Sequence, residues 1–146
     1  MSDVADVRQR LQRMIEQARQ EAAERRRRAE EDAGTAERFL ESVATPVMQQ
    51  VARVLCVEGF EFRLSTPAGS VRLVSERRKE DYVDLSIDAT ADPVTILTEV
   101  AHARGRRVST VERPLAPDVP LGQLTDEHVL AFLLDALKVF LSLIHI

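Results

Sequence analysis

Cysteine and aromatic residues are scarce in this sequence, and their scarcity excludes several classes of protein. A single cysteine cannot form an intrachain disulfide, which excludes a disulfide-stabilised secreted scaffold. With no tryptophan, one tyrosine and five phenylalanines, the chain is poorly suited to stack the bases of single-stranded nucleic acid. The five glycines are scattered, so no glycine-rich phosphate loop is present.

Charge of one sign is also lacking, because the net charge is only −4 in 146 residues. Residues 1–45 contain nine arginines and ten acidic residues, residues 46–114 are neutral, and residues 115–146 carry −3. This balance disfavours nucleic-acid binding through bulk charge and leaves only local basic patches. Eighteen of the 20 basic residues are arginine, which suggests a bacterial protein from a GC-rich genome.

The sequence lacks the apolar segments typical of a signal peptide or of a membrane-spanning helix. The first ten residues contain no apolar segment typical of a signal peptide, and together with the single cysteine this predicts a cytoplasmic location. The most apolar segment, near the C-terminus, carries Asp135 and Lys138 in its middle, which argues against a membrane span.

Residues 1–45 are predicted to form a helical arm resembling a coiled coil. Apolar residues recur there at spacings of three and four, and no glycine or proline interrupts them before Ala33. A helix of about 30 residues is roughly 45 Å long, more than the following domain can cover. We therefore expect the arm to contact a protein partner or a second copy of the chain. The predicted contact residues are Leu11, Ile15, Ala18, Ala22, Ala29 and Ala36.

Helix breaks are predicted at two places in this region. Gly34 and Thr35 favour a break, with Thr35 capping a second helix. Thr45 and Pro46 are typical of a further helix start, and Gly59 is a natural stop. The alternative is that Pro46 only kinks one continuous helix.

Residues 46–141 are predicted to form an α+β domain with two layers. Alternating apolar and polar residues predict five short strands in an antiparallel meander, centred on Phe62, Val71, Leu85, Val94–His102 and Arg106–Arg113. Thr125 is predicted to cap a C-terminal helix, and that helix and the one after Pro46 would cover the apolar face of the sheet. The predicted apolar side of the C-terminal helix comprises Leu130, Leu133, Leu134, Leu137 and Leu141.

No pattern of catalytic or metal-binding residues is found. Cys56 lies between Leu55 and Val57 and is predicted to be a small buried apolar residue. His102 and His128 are isolated, without metal-ligand spacing. The opposite sheet face is predicted to be solvated, which leaves Asp84 and Asp88 unsuited to acid–base chemistry. We therefore predict no enzymatic activity, no cofactor and no metal.

Two basic segments are candidate anion-binding sites. In a meander, alternate connections lie at the same end of the sheet. The second and fourth connections, residues 76–81 and 103–106, would therefore bring six basic residues to one end. They are Arg77, Arg78, Lys79, Arg104, Arg106 and Arg107. The other segment is Arg25–Arg28, where acidic neighbours at helical spacing, such as Glu24 and Glu31, favour a solvated and internally paired surface over a phosphate site.

The last five residues, 142–146, are predicted to be a non-native tail. They extend an apolar helix without a cap or a stop signal, and the string LSLIHI resembles the translation of a sequencing adapter.

The function expected from these patterns is that of a small cytoplasmic interaction protein, such as an adaptor or a secretion chaperone, which associates through its arm. The alternative is a nucleic-acid or phosphate-binding accessory factor that uses Arg25–Arg28 and the basic end of the sheet. Such a factor would bind with a steep dependence on salt concentration.

Overall fold

A long helix opens the computed structural model, which describes residues 3–141. Helix α1 (Val4–Phe39) continues through a π-helical turn (Leu40–Ala44) directly into helix α2 (Thr45–Val57). The predicted break at Gly34–Thr35 is wrong. The Thr35 hydroxyl donates to the Glu31 carbonyl at 3.1 Å within the same helix, so it satisfies a helical acceptor instead of capping a new helix.

The π-helical turn explains how the helix continues past Pro46. Proline has no N–H to donate, and its ring clashes with the carbonyl four residues earlier in a regular α-helix. Here both the backbone N–H and the hydroxyl of Thr45 donate to the carbonyl of Leu40, five residues back. The wider turn accommodates the ring, and the alternative of one continuous helix is the correct one.

Five antiparallel strands follow α2, in the spatial order β1-β2-β3-β4-β5. Helix α2 ends at Val57, and Gly59 follows it with a φ of 93°, in the left-handed region that glycine favours. The predicted meander is confirmed. Its strands are β1 (Phe62–Ser65), β2 (Ser70–Ser75), β3 (Tyr82–Asp88), β4 (Thr95–Arg104) and β5 (Arg107–Pro114). A 3₁₀ turn (Leu121–Gln123) and helix α3 (Asp126–Leu141) complete the described chain.

One face of the sheet and the helices enclose a single hydrophobic core, which gives the two predicted layers. Met48, Leu73 and Leu85 are among its fully buried side chains. The core also takes in the end of α1, a part of the region predicted as an arm. Those buried residues are Ala36, Phe39, Leu40 and Ala44. The arm is thus fixed to the domain at its C-terminal end.

Helix α3 packs on the sheet through a face slightly different from the predicted one. Its buried residues are Val129, Leu133, Ala136, Leu137 and Phe140. Leu134, predicted on the apolar side, is 60% exposed. It follows Leu133 directly in sequence, so its side chain points to a different side of the helix from Leu133 and Leu137. The helix therefore keeps an apolar strip on its outer surface.

The opposite face of the sheet carries a buried carboxylate, against expectation. The Asp84 side chain is only 4% exposed and accepts a hydrogen bond from Arg72 Nε at 3.0 Å. The Arg72 guanidinium lies 3.8 Å from the centre of the Tyr82 ring, and the Tyr82 hydroxyl donates to Glu99. Burial raises the pKa of Asp84, and Arg72 partly offsets that rise. The prediction that Asp84 is solvated is wrong because its cross-strand neighbours cover it.

Helix α3 begins with a capping arrangement in which histidine replaces the usual Glu or Gln. The backbone N–H of Thr125 donates to Nδ1 of His128 at 2.9 Å. A side chain three residues into a helix that accepts from the cap N–H forms half of a capping box. His128 therefore has a structural role at the start of α3.

We expect His128→Ala to lower the free energy of unfolding by about 1 kcal/mol, since it leaves the Thr125 N–H without its acceptor. His128→Gln should retain most of the stability, because glutamine is a usual acceptor at this position. Urea unfolding followed by circular dichroism measures both changes. Equal losses for the two variants would show that the ring's packing, and not its acceptor, matters.

Candidate functional site

The first candidate surface is the N-terminal part of α1, which we call the arm tip (residues 4–21). Its apolar side chains project away from the domain. The exposed fractions are 79% for Val4, 45% for Val7, 48% for Leu11, 60% for Met14 and 45% for Ile15. Aliphatic side chains that line one exposed side of a helix, which we call the apolar stripe, are typical of a surface that packs against another molecule.

The same side of α1 faces the domain farther along the helix. Ala22 and Ala29 line an open cleft of about 790 Å³ opposite the connection between β3 and β4, residues 89–94. Ala36 is completely buried in the core. The prediction of Ala36 as a partner contact is therefore wrong, because its own domain already covers it. Leu11, Ile15 and Ala18 are exposed, as a partner contact requires.

The Arg25–Arg28 segment is partly neutralised by pairing within the helix. Arg27 binds Glu24 at 2.5 Å and Glu31 at 2.7 Å, and the hydrogen bond from Arg27 lowers the pKa of Glu24. Its three neighbours, Arg25, Arg26 and Arg28, line the cleft beside the β3–β4 connection. The paired surface predicted for this segment is confirmed at Arg27.

The second candidate surface is the end of the sheet formed by the β2–β3 and β4–β5 connections. Pairing of Tyr82 with Ala101 places both connections at the same end, so the six predicted basic residues share it. All six are exposed. Arg77, Arg78 and Arg104 line a cavity there, which we call the basic cavity, whereas Lys79, Arg106 and Arg107 are not among its lining residues.

The basic cavity has a volume of about 400 Å³ and combines arginines with apolar walls. Phe60, Phe62 and Phe140 contribute aromatic surface from the connection after α2, from β1 and from α3. Glu61 and Asp81 are its acidic members, against three arginines. The cavity is therefore positively charged at its mouth and partly apolar inside, a combination typical of sites for small organic anions.

His102 lines this cavity and is 6% exposed. Neither ring nitrogen has a hydrogen-bond partner among the described residues. The nearest carboxylate oxygen, Asp81 Oδ1, lies 3.6 Å from Nδ1 and accepts a hydrogen bond from the Ala103 N–H at 2.8 Å. Phe140 packs edge-on against the imidazole, with ring centres 5.7 Å apart. Buried polar groups usually have a hydrogen-bond partner, so a partner for the His102 imidazole would come from a molecule bound in the cavity.

Sequence reasoning did not single out His102, although one signal was available. The inward positions of β4 alternate as Ile96, Thr98, Val100 and His102, so a titratable residue follows three core positions. The clustering of the surrounding arginines at this end of the sheet was predicted from topology. The cavity itself was not, because it depends on the packing of Phe140 against β4.

An apolar groove between α2 and α3 forms a third surface. Its walls include Val51, Val54, Leu130 and Leu134, and its volume is about 540 Å³. Val54 is 61% exposed. The groove results from the outward-facing apolar residues of both helices, which the sequence pattern had placed in the core.

Reactive and metal-binding groups are sparse in the part of the chain that the structure describes. Cys56 is exposed, contrary to the prediction, because Ala52 and Leu55 occupy the buried side of α2. Within residues 3–141, no cluster of three or more His, Cys, Asp or Glu residues is placed to hold a metal ion. No helix in the same range is long and apolar enough to cross a bilayer.

Comparisons with known proteins add no relative to this picture, since the chain matches no protein-family model, no curated protein and no solved structure.

Proposed function

We propose that this chain is a cytoplasmic interaction or adaptor protein that forms a homodimer by pairing its arm tip with that of a second copy. The observation that carries the proposal is the apolar stripe of α1. The stripe is buried at Ala36, faces its own domain at Ala29 and is exposed from Ala18 to Val4. A helix of this length gains stability by packing, and its own domain covers only one end.

The position of the domain favours an antiparallel orientation of the two arms. A parallel partner helix on the apolar stripe would continue past Ala22 and run into the β3–β4 connection. An antiparallel partner ends where that connection begins. It also forms the self-complementary interface that two-fold symmetric dimers use.

The residues of the arm tip fit one antiparallel register well. Placing Val4 beside Ala22 of the second copy puts Leu11 beside its Ile15 and Arg8 beside its Ala18. The long Arg8 side chain then lies over the small Ala18. The overlap spans the arm tip and ends at the cleft.

Disulfide trapping tests the orientation in the full chain. In a Cys56→Ser background, we expect Val4→Cys and Ala22→Cys chains to cross-link when mixed, because the two sites are adjacent in the proposed dimer. Each variant alone should cross-link poorly, since like positions would be separated by about 27 Å. Non-reducing gel electrophoresis gives the readout. Efficient cross-linking of each variant alone would show parallel pairing, and no cross-linking in any mixture would contradict the dimer.

A matched control uses Gln9→Cys and Gln20→Cys, which lie on the polar side of the same helix. These sites face away from the second copy in the proposed register. Comparable cross-linking of the control pair would indicate random collision and not pairing of the apolar stripes.

A further inference from the structure

The basic cavity carries an inference that goes beyond association and is independent of it. We propose that this cavity binds an aromatic phosphate monoester, with the phosphate held by Arg77, Arg78 and Arg104 and the ring enclosed by the phenylalanines. The proposal rests on three observations, which concern the arginines, the apolar walls and His102.

The arginines favour a phosphate over a carboxylate. One guanidinium satisfies a carboxylate by a two-point contact, so a carboxylate would use one of the three arginines in the lining. A phosphate monoester presents three terminal oxygens and carries up to two negative charges, which suits three guanidinium groups. Among the described residues, none of the three forms an ion pair with a carboxylate, so their charge is available to a ligand.

The apolar walls require the phosphate to carry an organic group. A cavity of about 400 Å³ is several times larger than a phosphate ion. Phe62 and Phe140 pack edge-to-face with ring centres 5.8 Å apart, and both rings line the cavity. A flat aromatic group fits beside such rings and buries apolar surface there.

His102 adds directional hydrogen bonding at the inner wall. Its ring nitrogens are buried without protein partners, and a polar atom on the ligand ring would satisfy one of them. Water satisfies such groups as well, so the histidine by itself selects no ligand. Together with the arginines at the mouth, it defines a site with a charged end and a hydrogen-bonding end.

Phenyl phosphate and pyridoxine phosphate are suitable probes, titrated into the full chain by calorimetry at physiological salt. Pyridoxine phosphate has no aldehyde, so it cannot form an imine with Lys79. We expect both esters to bind, and inorganic phosphate to bind about 10-fold more weakly or worse, because it leaves the aromatic walls uncovered. Pyridoxine phosphate should bind more tightly than phenyl phosphate, since it alone carries ring polar atoms for His102. Inorganic phosphate binding as tightly as the esters would overturn the aromatic part of the proposal.

The chain provides a matched control for the charge. Arg77, Arg78 and Arg104 changed together to alanine should raise the dissociation constant of phenyl phosphate about 100-fold, because the variant removes the charge-assisted hydrogen bonds to the phosphate. Lys79, Arg106 and Arg107 changed together remove the same charge at the same end of the sheet but outside the cavity. This second triple variant should change binding less than about threefold. Equal losses would show nonspecific attraction, and no detectable binding to the unmodified chain would overturn the site.

His102→Gln separates the ring contact from the phosphate contact. The variant should reduce the ratio by which pyridoxine phosphate binds more tightly than phenyl phosphate. An unaltered preference would remove His102 from the site. Because these measurements concern ligand affinity at the sheet end, their failure would leave the arm-mediated dimer untouched, and the reverse also holds.

Discussion

Aspartate at Leu11 and at Ile15 is expected to convert the proposed dimer into a monomer. In the proposed register each residue lies beside the other across the interface, so the double variant places four carboxylates between the two helices. Burying aliphatic side chains of this size contributes about 1.5–3 kcal/mol each, and buried unpaired charges add a further cost. We expect the dissociation constant to rise by more than about 100-fold, as measured by sedimentation velocity over a range of concentrations.

The control for this variant is Gln9→Asp with Gln20→Asp. It adds the same two charges to the same helix on its polar side, and it should leave the dimer intact. Circular dichroism at the working concentration confirms that helix α1 persists in both variants. A double variant at Leu11 and Ile15 that stays dimeric would contradict the arm interface. The apolar groove at Val54 and Leu134 would then be the next surface to test.

Periodicity alone predicted most of the architecture. The alternation at Val83, Leu85 and Ile87 placed β3, and the flanking turns at Gly69 and Gly105 separated neighbouring strands, because these patterns reflect local geometry. The five strands could be ordered because short connections leave the meander as the simplest arrangement. The helical conformation of the arm before Gly34 followed equally from residues spaced three and four apart.

The features that the sequence did not predict depend on contacts between distant segments. The break expected at Gly34 is overridden because Ala36, Phe39 and Leu40 pack into the core and hold the helix straight through it. The π-helical turn before Pro46 likewise avoids the clash of the proline ring with a regular α-helix. It does so while Ala44 and Met48, on either side of the proline, remain buried in the core. Propensity is a weak preference, and burial decides the outcome at both places.

The candidate sites show the same division. The exposed residues of the arm tip and the basic end of the sheet follow from pattern and topology, and both were predicted. The basic cavity needs Phe140 of α3 to stand against His102 of β4, a contact between residues far apart in the chain. Its specificity could therefore be inferred only after the packing of α3 was known.

The buried Asp84 leads to a stability prediction whose sign depends on pH. Arg72→Met removes the guanidinium that neutralises this carboxylate, and methionine retains much of the side chain's bulk over Tyr82. Breaking a buried ion pair from one side costs about 3–5 kcal/mol, and because Arg72 is 35% exposed we expect the lower end, about 3 kcal/mol near pH 7. Urea unfolding measures the loss.

The pH dependence identifies the cause of that loss. Burial already raises the folded-state pKa of Asp84 above its ordinary value of 3.8, and both the hydrogen bond and the charge of Arg72 lower it. Without Arg72 the folded-state pKa rises further, so the variant loses stability as the pH increases through that raised value. Below the ordinary value the carboxyl group is protonated in the folded and unfolded states, and the difference from the unmodified protein should largely disappear.

Two controls separate charge from packing. Arg63→Met removes an exposed arginine from the same sheet face and should change the free energy of unfolding by less than about 0.5 kcal/mol at any pH. Asp84→Asn combined with Arg72→Met removes the buried charge itself, and the double variant should recover most of the stability lost at neutral pH. A loss for Arg72→Met that is the same at pH 4 and pH 7 would assign its effect to the contact with Tyr82. The stability of this sheet face would then depend on how the arginine stacks and not on the carboxylate beneath it.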